Sequence, residues 1–75
     1  MSILWMDWPK TVGENIRRVR LAAGISQEEL AHRAGLTPSY IGQVERGRRN
    51  TSVTVLGKVA DALGTTPGRF FETSR

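Results

Sequence analysis

The stretch S-Q-E-E-L-A-H-R-A-G-L-T-P-S-Y-I-G-Q-V-E-R-G, residues 26–47, decides how this chain folds. It reads as two short helices joined by a tight turn. Ser26 opens the first, because its hydroxyl can accept from an unsatisfied backbone N–H two or three residues on. Glu29 follows three residues later, where its carboxylate reaches back to the cap, so S-x-x-E is a capping box. Gly35 tolerates the positive φ that ends a helix, which makes Ala34 the last helical residue. Thr37 caps the second helix. Pro38 takes that helix's first position, where a missing N–H costs nothing. Gly47 supplies the second stop. Leu30, Ala31 and Ala34 form the inward face of the first helix, Leu36 plugs into the core after the turn, and Ile41 and Val44 point inward from the second. Ser39, Tyr40, Gln43 and Arg46 are left facing outward. Gly42 sits mid-helix at a cost of about 1 kcal/mol relative to Ala. Either close packing against the preceding helix or close approach of a ligand accounts for it.

Outward from this unit, helical periodicity continues on both sides. Residues 11–23 form a helix with Thr11 as N-cap and Glu14 completing T-x-x-E. Val12, Ile16, Val19 and Ala23 make its apolar stripe, with Arg17 and Arg18 off it. Gly24 ends that helix and Ile25 packs as the chain turns. After a basic loop, R-G-R-R-N-T at residues 46–51, Ser52 caps a fourth helix reaching Leu63. Val53, Leu56, Val59, Ala60 and Leu63 keep helical spacing there, and Gly64 stops it. Thr66 and Pro67 repeat the cap-then-proline start and open a short fifth helix through Phe71. Phe70 and Phe71 point about 100° apart, so one can fill the core while the other faces elsewhere. No period-2 alternation is present. The pattern therefore predicts an all-α domain of five helices over residues 11–75. Residues 1–10 (M-S-I-L-W-M-D-W-P-K) precede it as an apolar arm set off by Pro9. Trp5 and Trp8 cover the core or a dimer seam, or the arm reaches DNA or another protein, or the tail is unordered.

Composition narrows the function classes. Seventy-five residues make one domain, and a core this small often relies on association. No cysteine is present, which removes disulfides and thiolate metal sites and suits a reducing cytoplasm. His32 is alone, so no multi-histidine metal site forms. No apolar run is long enough to span a bilayer, and the N-terminus does not read as a signal peptide. The net charge is +4, and nine of the eleven basic residues are arginine. The guanidinium fork matches phosphate oxygens. Enzymatic constellations are weak: there is no phosphate-cradling Gly-rich loop, a lone His and no Cys leave few nucleophile–base pairs, and Glu28 and Glu29 diverge as neighbours. The chain is expected not to be an enzyme, and no cofactor, metal, membrane or small-molecule effector is implied.

Two helices of about nine residues flanking a Gly-containing link fit a helix-turn-helix. An α-helix of this kind fits the major groove, and residues near its N-terminus reach base edges. Ser39 and Gln43 lie one turn apart on the outward face. Glutamine can pair two-pronged with adenine N6 and N7, and serine is a permissive donor and acceptor. Tyr40 offers a hydroxyl to a phosphate or base, or its ring to a thymine methyl, or else it is a partly buried core ring. Pro38 offers shape alone. Arg46, Arg48 and Arg49 flank the helix's far end as phosphate contacts, with Gln27, Thr37 and Asn50 as further candidates. Gln27 also stands at a helix N-terminus that favours an anion. Arg49, farthest along the loop, can instead enter a groove and read a base. Arg20 and Glu45 each neighbour an inward-facing valine and are expected to pair between the first and third helices, partly buried. Phe70 or Phe71, with some of Val53, Val55 and Thr65, is expected to form a self-association surface.

The motifs I-R-R-V-R (residues 16–20), G-I-S-Q-E-E-L-A (residues 24–31), Y-I-G-Q-V-E-R-G (residues 40–47) and L-G-K-V-A-D-A-L-G (residues 56–64) resemble the phage repressor and Cro-like helix-turn-helix regulators. The resemblance implies a five-helix, lambda-repressor-like DNA-binding domain acting as a homodimer on two-fold operators of double-stranded DNA. E-R-G-R-R-N at residues 45–50, with Tyr40 before it and F-F-E at residues 70–72, is similar to the controller proteins of restriction–modification systems. Those are single-domain dimeric regulators without a separate effector domain. That similarity implies DNA contacts from Ser39, Tyr40, Gln43 and Arg49. At the Pro38 position such proteins often carry a polar residue instead. The alternatives are an antitoxin or phage-type repressor, or a protein-interaction adaptor on the same fold.

Overall fold

The structure is a computed structural model and describes residues 7–73. Residues 1–6, most of the expected arm and including Trp5, lie outside the described residues, as do the last two of the chain. Helix α1 spans Trp8–Ala22, α2 Gln27–Ala34, α3 Pro38–Glu45 and α4 Val53–Leu63, and a 3₁₀ helix covers Pro67–Phe71. No strand occurs among the described residues. The fifth helix is thus a 3₁₀ turn. Thr66 precedes it without a side-chain cap bond.

Helix α1 starts one turn earlier than its T-x-x-E pattern predicts. Asp7 is the N-cap, its carboxylate accepting from the Lys10 N–H at 3.2 Å. Aspartate caps at least as well as threonine, and a proline in the first turn removes no intrahelical bond. Pro9 therefore starts a helix instead of separating one, and Trp8, Pro9 and Lys10 are helical. The expected stripe also ends differently. Ala23 is exposed, and the position one turn after Ile16 belongs to Arg20, which is buried.

The caps of α2, α3 and α4 form as their sequences dictate. Ser26 Oγ accepts from Glu29 N–H, Thr37 Oγ1 from Tyr40 N–H and Ser52 Oγ from Val55 N–H, at 3.0–3.1 Å. The return half of the predicted capping box is replaced: the Glu29 carboxylate accepts from Arg33 Nε, one turn on, at 2.7 Å. Between α2 and α3, Gly35 adopts φ +71°. That left-handed step lets the Leu36 N–H reach the Ala31 carbonyl at 2.8 Å, which closes the turn.

Helix α1 packs on α3 and on the 3₁₀ helix, α2 packs on α3 and α4, and α4 packs on the 3₁₀ helix. Phe70, Ile16, Leu30, Ile41 and Val59 are the largest fully buried side chains. Each such side chain stabilises the fold by about 1.5–3 kcal/mol through its burial. Leu36 is only half-buried against this core. Phe70 is the phenylalanine that fills the interior, at 0 % exposure. It is therefore unavailable to a partner, which corrects its place among the self-association candidates.

Two glycine positions and one asparagine set the helix arrangement. A Cβ on Gly13 would lie 2.2 Å from the Val44 carbonyl oxygen and 2.9 Å from that of Glu45, so α1 crosses the end of α3 backbone to backbone. Gly47, just beyond α3, has φ +75°, and a Cβ there would lie 2.9 Å from Lys10 Cα. Asn15 is buried, and its Nδ2 donates to the Phe70 carbonyl at 2.7 Å and the Glu72 carbonyl at 2.8 Å. Its Oδ1 accepts from Arg18. The C-terminal 3₁₀ helix is thus latched to α1 by one side chain.

Candidate nucleic-acid interface

Helix α3 owes its position to a buried charge pair at its last turn. Arg20 Nε lies 2.6 Å from Glu45 Oε2 and Arg20 Nη2 lies 3.0 Å from Oε1, a two-pronged contact. Arg20 Nη1 donates to the Ile25 carbonyl at 2.9 Å, and Gln27 Nε2 donates to Glu45 Oε1 at 3.0 Å. The side chains of the pair are 8 % and 2 % exposed. The hydrogen bond to Glu45 raises the Arg20 pKa, burial opposes this, and the carboxylate's charge adds to the rise. No buried side-chain polar atom is left without a partner among the described residues. The pair and Gly13 together fix α3 against α1. Gln27 belongs to this network, so only part of its amide remains for a phosphate.

The rest of α3 faces outward. Pro38 and Ser39 are exposed at its N-terminus, and Arg46 is exposed at its C-terminal end. Thr37 is exposed and keeps its hydroxyl proton for an external acceptor, because its oxygen serves as the cap acceptor. Tyr40 is half-buried and packs on the core, and its ring also carries Arg49, whose Cζ is 5.2 Å from the ring centroid. The core-ring reading of this tyrosine is the one its packing bears out. Gln43 is half-buried, and its Oε1 accepts from Arg49 Nε at 2.7 Å. The loop is held to α3 by backbone too, since Arg48 N–H donates to the Gln43 carbonyl at 2.9 Å. Arg46 lies back along α3: a Cβ on Gly42 would be 3.3 Å from Arg46 Nη1 and 3.7 Å from Gln27 Oε1. Only side-chain ends approach Gly42, so no tight helix packing requires it.

The structure brings Tyr40, Gln43 and Arg49 into contact, and it sets Arg46 and Arg48 beside them. The ion pairs among the described residues are Arg20–Glu45, Glu29–Arg33 and Arg69–Glu72, so Arg46, Arg48 and Arg49 have no carboxylate partner there. Asn50 lines a cavity of about 160 Å³ with Trp8, Pro9, Val12, Arg49, Thr51 and Phe71. Trp8 and Phe71 meet there with ring centroids 5.9 Å apart. Of the remaining self-association candidates, Val53 is 82 % and Phe71 43 % exposed, while Val55 and Thr65 are half-buried.

Sequence reading overlooked Gly13 and Asn15. Both carried a signal. Gly13 is a glycine inside a helix, which marks close approach. Asn15 falls three residues after Val12 and four before Val19, a polar residue on the apolar stripe.

A capped helix held rigidly behind a left-handed turn, with a polar outward face and unneutralised arginines, defines a helix-turn-helix domain. The chain belongs to the helix-turn-helix family, whose model matches residues 16–70. It is 42% identical over 64 residues to the control protein C.SmaI of Serratia marcescens, covering 85% of this chain and 76% of that one. It is 46% identical over 59 residues to an uncharacterised helix-turn-helix-type transcriptional regulator of Sinorhizobium fredii, covering 79% and 77%. The crystal structure of the restriction–modification controller protein C.AhdI from Aeromonas hydrophila superposes with a TM-score of 0.82 at 44% identity. That match covers 84% of this chain and 96% of C.AhdI. No described helix is long and apolar enough to cross a membrane.

Proposed function

We propose that this protein is a sequence-specific double-stranded DNA-binding regulator of transcription that acts as a homodimer on a two-fold operator, in the manner of restriction–modification controller proteins. The observation that carries this reading is the outward face of α3. Ser39, Tyr40 and Gln43 stand on it, beside three arginines that no carboxylate neutralises among the described residues. In a major groove, Ser39 and Gln43 meet base edges, while Arg46 and Arg48 hold phosphates on either side. The Thr37 hydroxyl, the remaining Gln27 amide hydrogen and Asn50 add uncharged phosphate donors. Regulation follows from occupancy of DNA without chemistry on it, and the work is done in the cytoplasm with the chromosome.

The partner protomer joins through Val53, Val55, Thr65 and Phe71. Val53 in particular is almost fully exposed at the start of α4, where an unpartnered valine gains from burial. Two-fold symmetry then sets two α3 helices on one side of the duplex, roughly 34 Å apart, a single turn of B-DNA. The test is selection of bound duplexes from a random pool, with sedimentation of the free protein. Enrichment of an inverted repeat with half-sites about one turn apart supports the reading. A stable monomer that enriches no sequence overturns it.

A further inference from the structure

The contact between Gln43 and Arg49 bears on which base the reading helix selects, given the DNA-binding role proposed above. Arg49 Nε is a donor only. At 2.7 Å from it, the Gln43 amide must turn its oxygen toward the guanidinium and its amino group away. Two-pronged pairing of glutamine with adenine uses both ends of the amide, the oxygen accepting from N6 and the amino group donating to N7. Here one of the oxygen's two lone pairs is taken by Arg49 Nε, and the guanidinium charge beside it disfavours a second, N6–H donor. The unit then presents a base edge mainly with the Gln43 amino group and the terminal Nη groups of Arg49, all of them donors. Adenine's N6 amino group would meet donors and a positive charge. Guanine presents N7 and O6, two acceptors side by side in the major groove. Tyr40 supports the arrangement from below, its ring centroid 5.2 Å from Arg49 Cζ. The Arg49 guanidinium is exposed and has no carboxylate partner among the described residues, so its charge is left unneutralised.

We propose that Gln43 and Arg49 act as one all-donor unit that selects guanine, where an unaccompanied glutamine would select adenine, and that Tyr40 is the positioning residue for Arg49. The test is selection from a random duplex pool, followed by competition between guanine and adenine at the position concerned. Gln43→Ala identifies that position, because it flattens the preference there. The full chain is expected to prefer guanine over adenine at it by about tenfold or more. Arg49→Ala frees the amide oxygen and is expected to shift the preference toward adenine. Tyr40→Phe keeps the ring and the guanine preference; Tyr40→Leu removes the support and weakens that preference, whatever either does to overall affinity. The proposal is overturned if the unmodified protein prefers adenine there. It is equally overturned if Arg49→Ala lowers affinity for all sequences alike and leaves guanine preferred. Failure of the DNA-binding reading looks different: the unmodified protein then enriches no sequence at all, and the proposal falls with it.

Discussion

Replacing Gly13 with alanine should damage this fold more than its small size suggests. The added Cβ would lie 2.2 Å from the Val44 carbonyl oxygen and 2.9 Å from that of Glu45. A carbon settles against a carbonyl oxygen at about 3.3 Å, so α1 must withdraw from α3 by about 1 Å. Both obstructing atoms are backbone, and no rotamer change removes them. Overpacking by one methyl group ordinarily costs about 1–3 kcal/mol. With rigid partners the upper end applies, and the better helix propensity of alanine returns about 1 kcal/mol. The retreat of α1 also stretches the Arg20–Glu45 contact, now 2.6 Å. A net loss of about 2 kcal/mol or more follows, against roughly 4–11 kcal/mol available to a domain of this length. For a domain this small, that lowers the melting temperature by roughly 8–16 °C. Circular dichroism during thermal and urea unfolding, at one fixed protein concentration, measures it. Gly57→Ala in α4 is the control, because among the described residues nothing beyond its chain neighbours and its own helix backbone lies within 4 Å of its Cβ position. It should stabilise by up to about 1 kcal/mol. A Gly13→Ala protein as stable as its parent would refute the reasoning.

The buried pair should behave as a coupled unit: Arg20→Met or Glu45→Leu alone should cost about 3–5 kcal/mol, and the double variant much less than the sum. A double-mutant cycle showing no coupling would count against it. Asn15→Ala leaves the Phe70 and Glu72 carbonyls without their donor, so it should cost about 1–3 kcal/mol. It should also speed amide exchange in the C-terminal 3₁₀ helix more than in α2; equal effects would deny the latch. Arg46→Ala and Arg48→Ala should weaken binding across sequences and each reduce the slope of log affinity against log salt by about one. An unaltered slope would exclude a phosphate contact. The hydrogen bond from Arg33 and then its charge hold the Glu29 pKa below the ordinary 4.5. Its stabilisation is thus full above that value and lost as pH falls through the lower folded value. The stability difference from Glu29→Gln should shrink on acidification, by a small amount because the pair is exposed; a difference that grows in acid would reverse the sign.

The helices were legible because their ends are written in single residues. Ser26, Gly35, Thr37, Ser52 and Gly64 each act locally, and local chemistry survives folding. The start of α1 was misread where two local signals competed. Asp7 with Pro9 in the first turn, and Thr11 with Glu14, both describe a helix start, and nothing nearby chooses between them. The Arg20–Glu45 contact could be inferred because each residue adjoins an inward-facing valine. What stayed hidden depends on distances between elements. Asn15 bonds carbonyls 55 and 57 residues away. The Gln43–Arg49 hydrogen bond depends on how the loop folds back after Gly47. Sequence alone placed Gln43 on the outward face of the helix and Arg49 in the loop beyond it, and it left Gln43 free to pair with adenine.

Helix α1 lies behind the proposed reading face and ties it to the proposed partner surface. Gly13 and Arg20 seat it against the last turn of α3, and Asn15 ties it to the segment that carries Phe71. In a dimer joined through that segment, the separation of the two reading heads is gauged along this one rod. On the proposed reading, operator length can therefore change through substitutions on the back of the protein, with every proposed DNA contact kept. Variation in half-site spacing among such proteins should be sought first in the residues that face the inner side of α1.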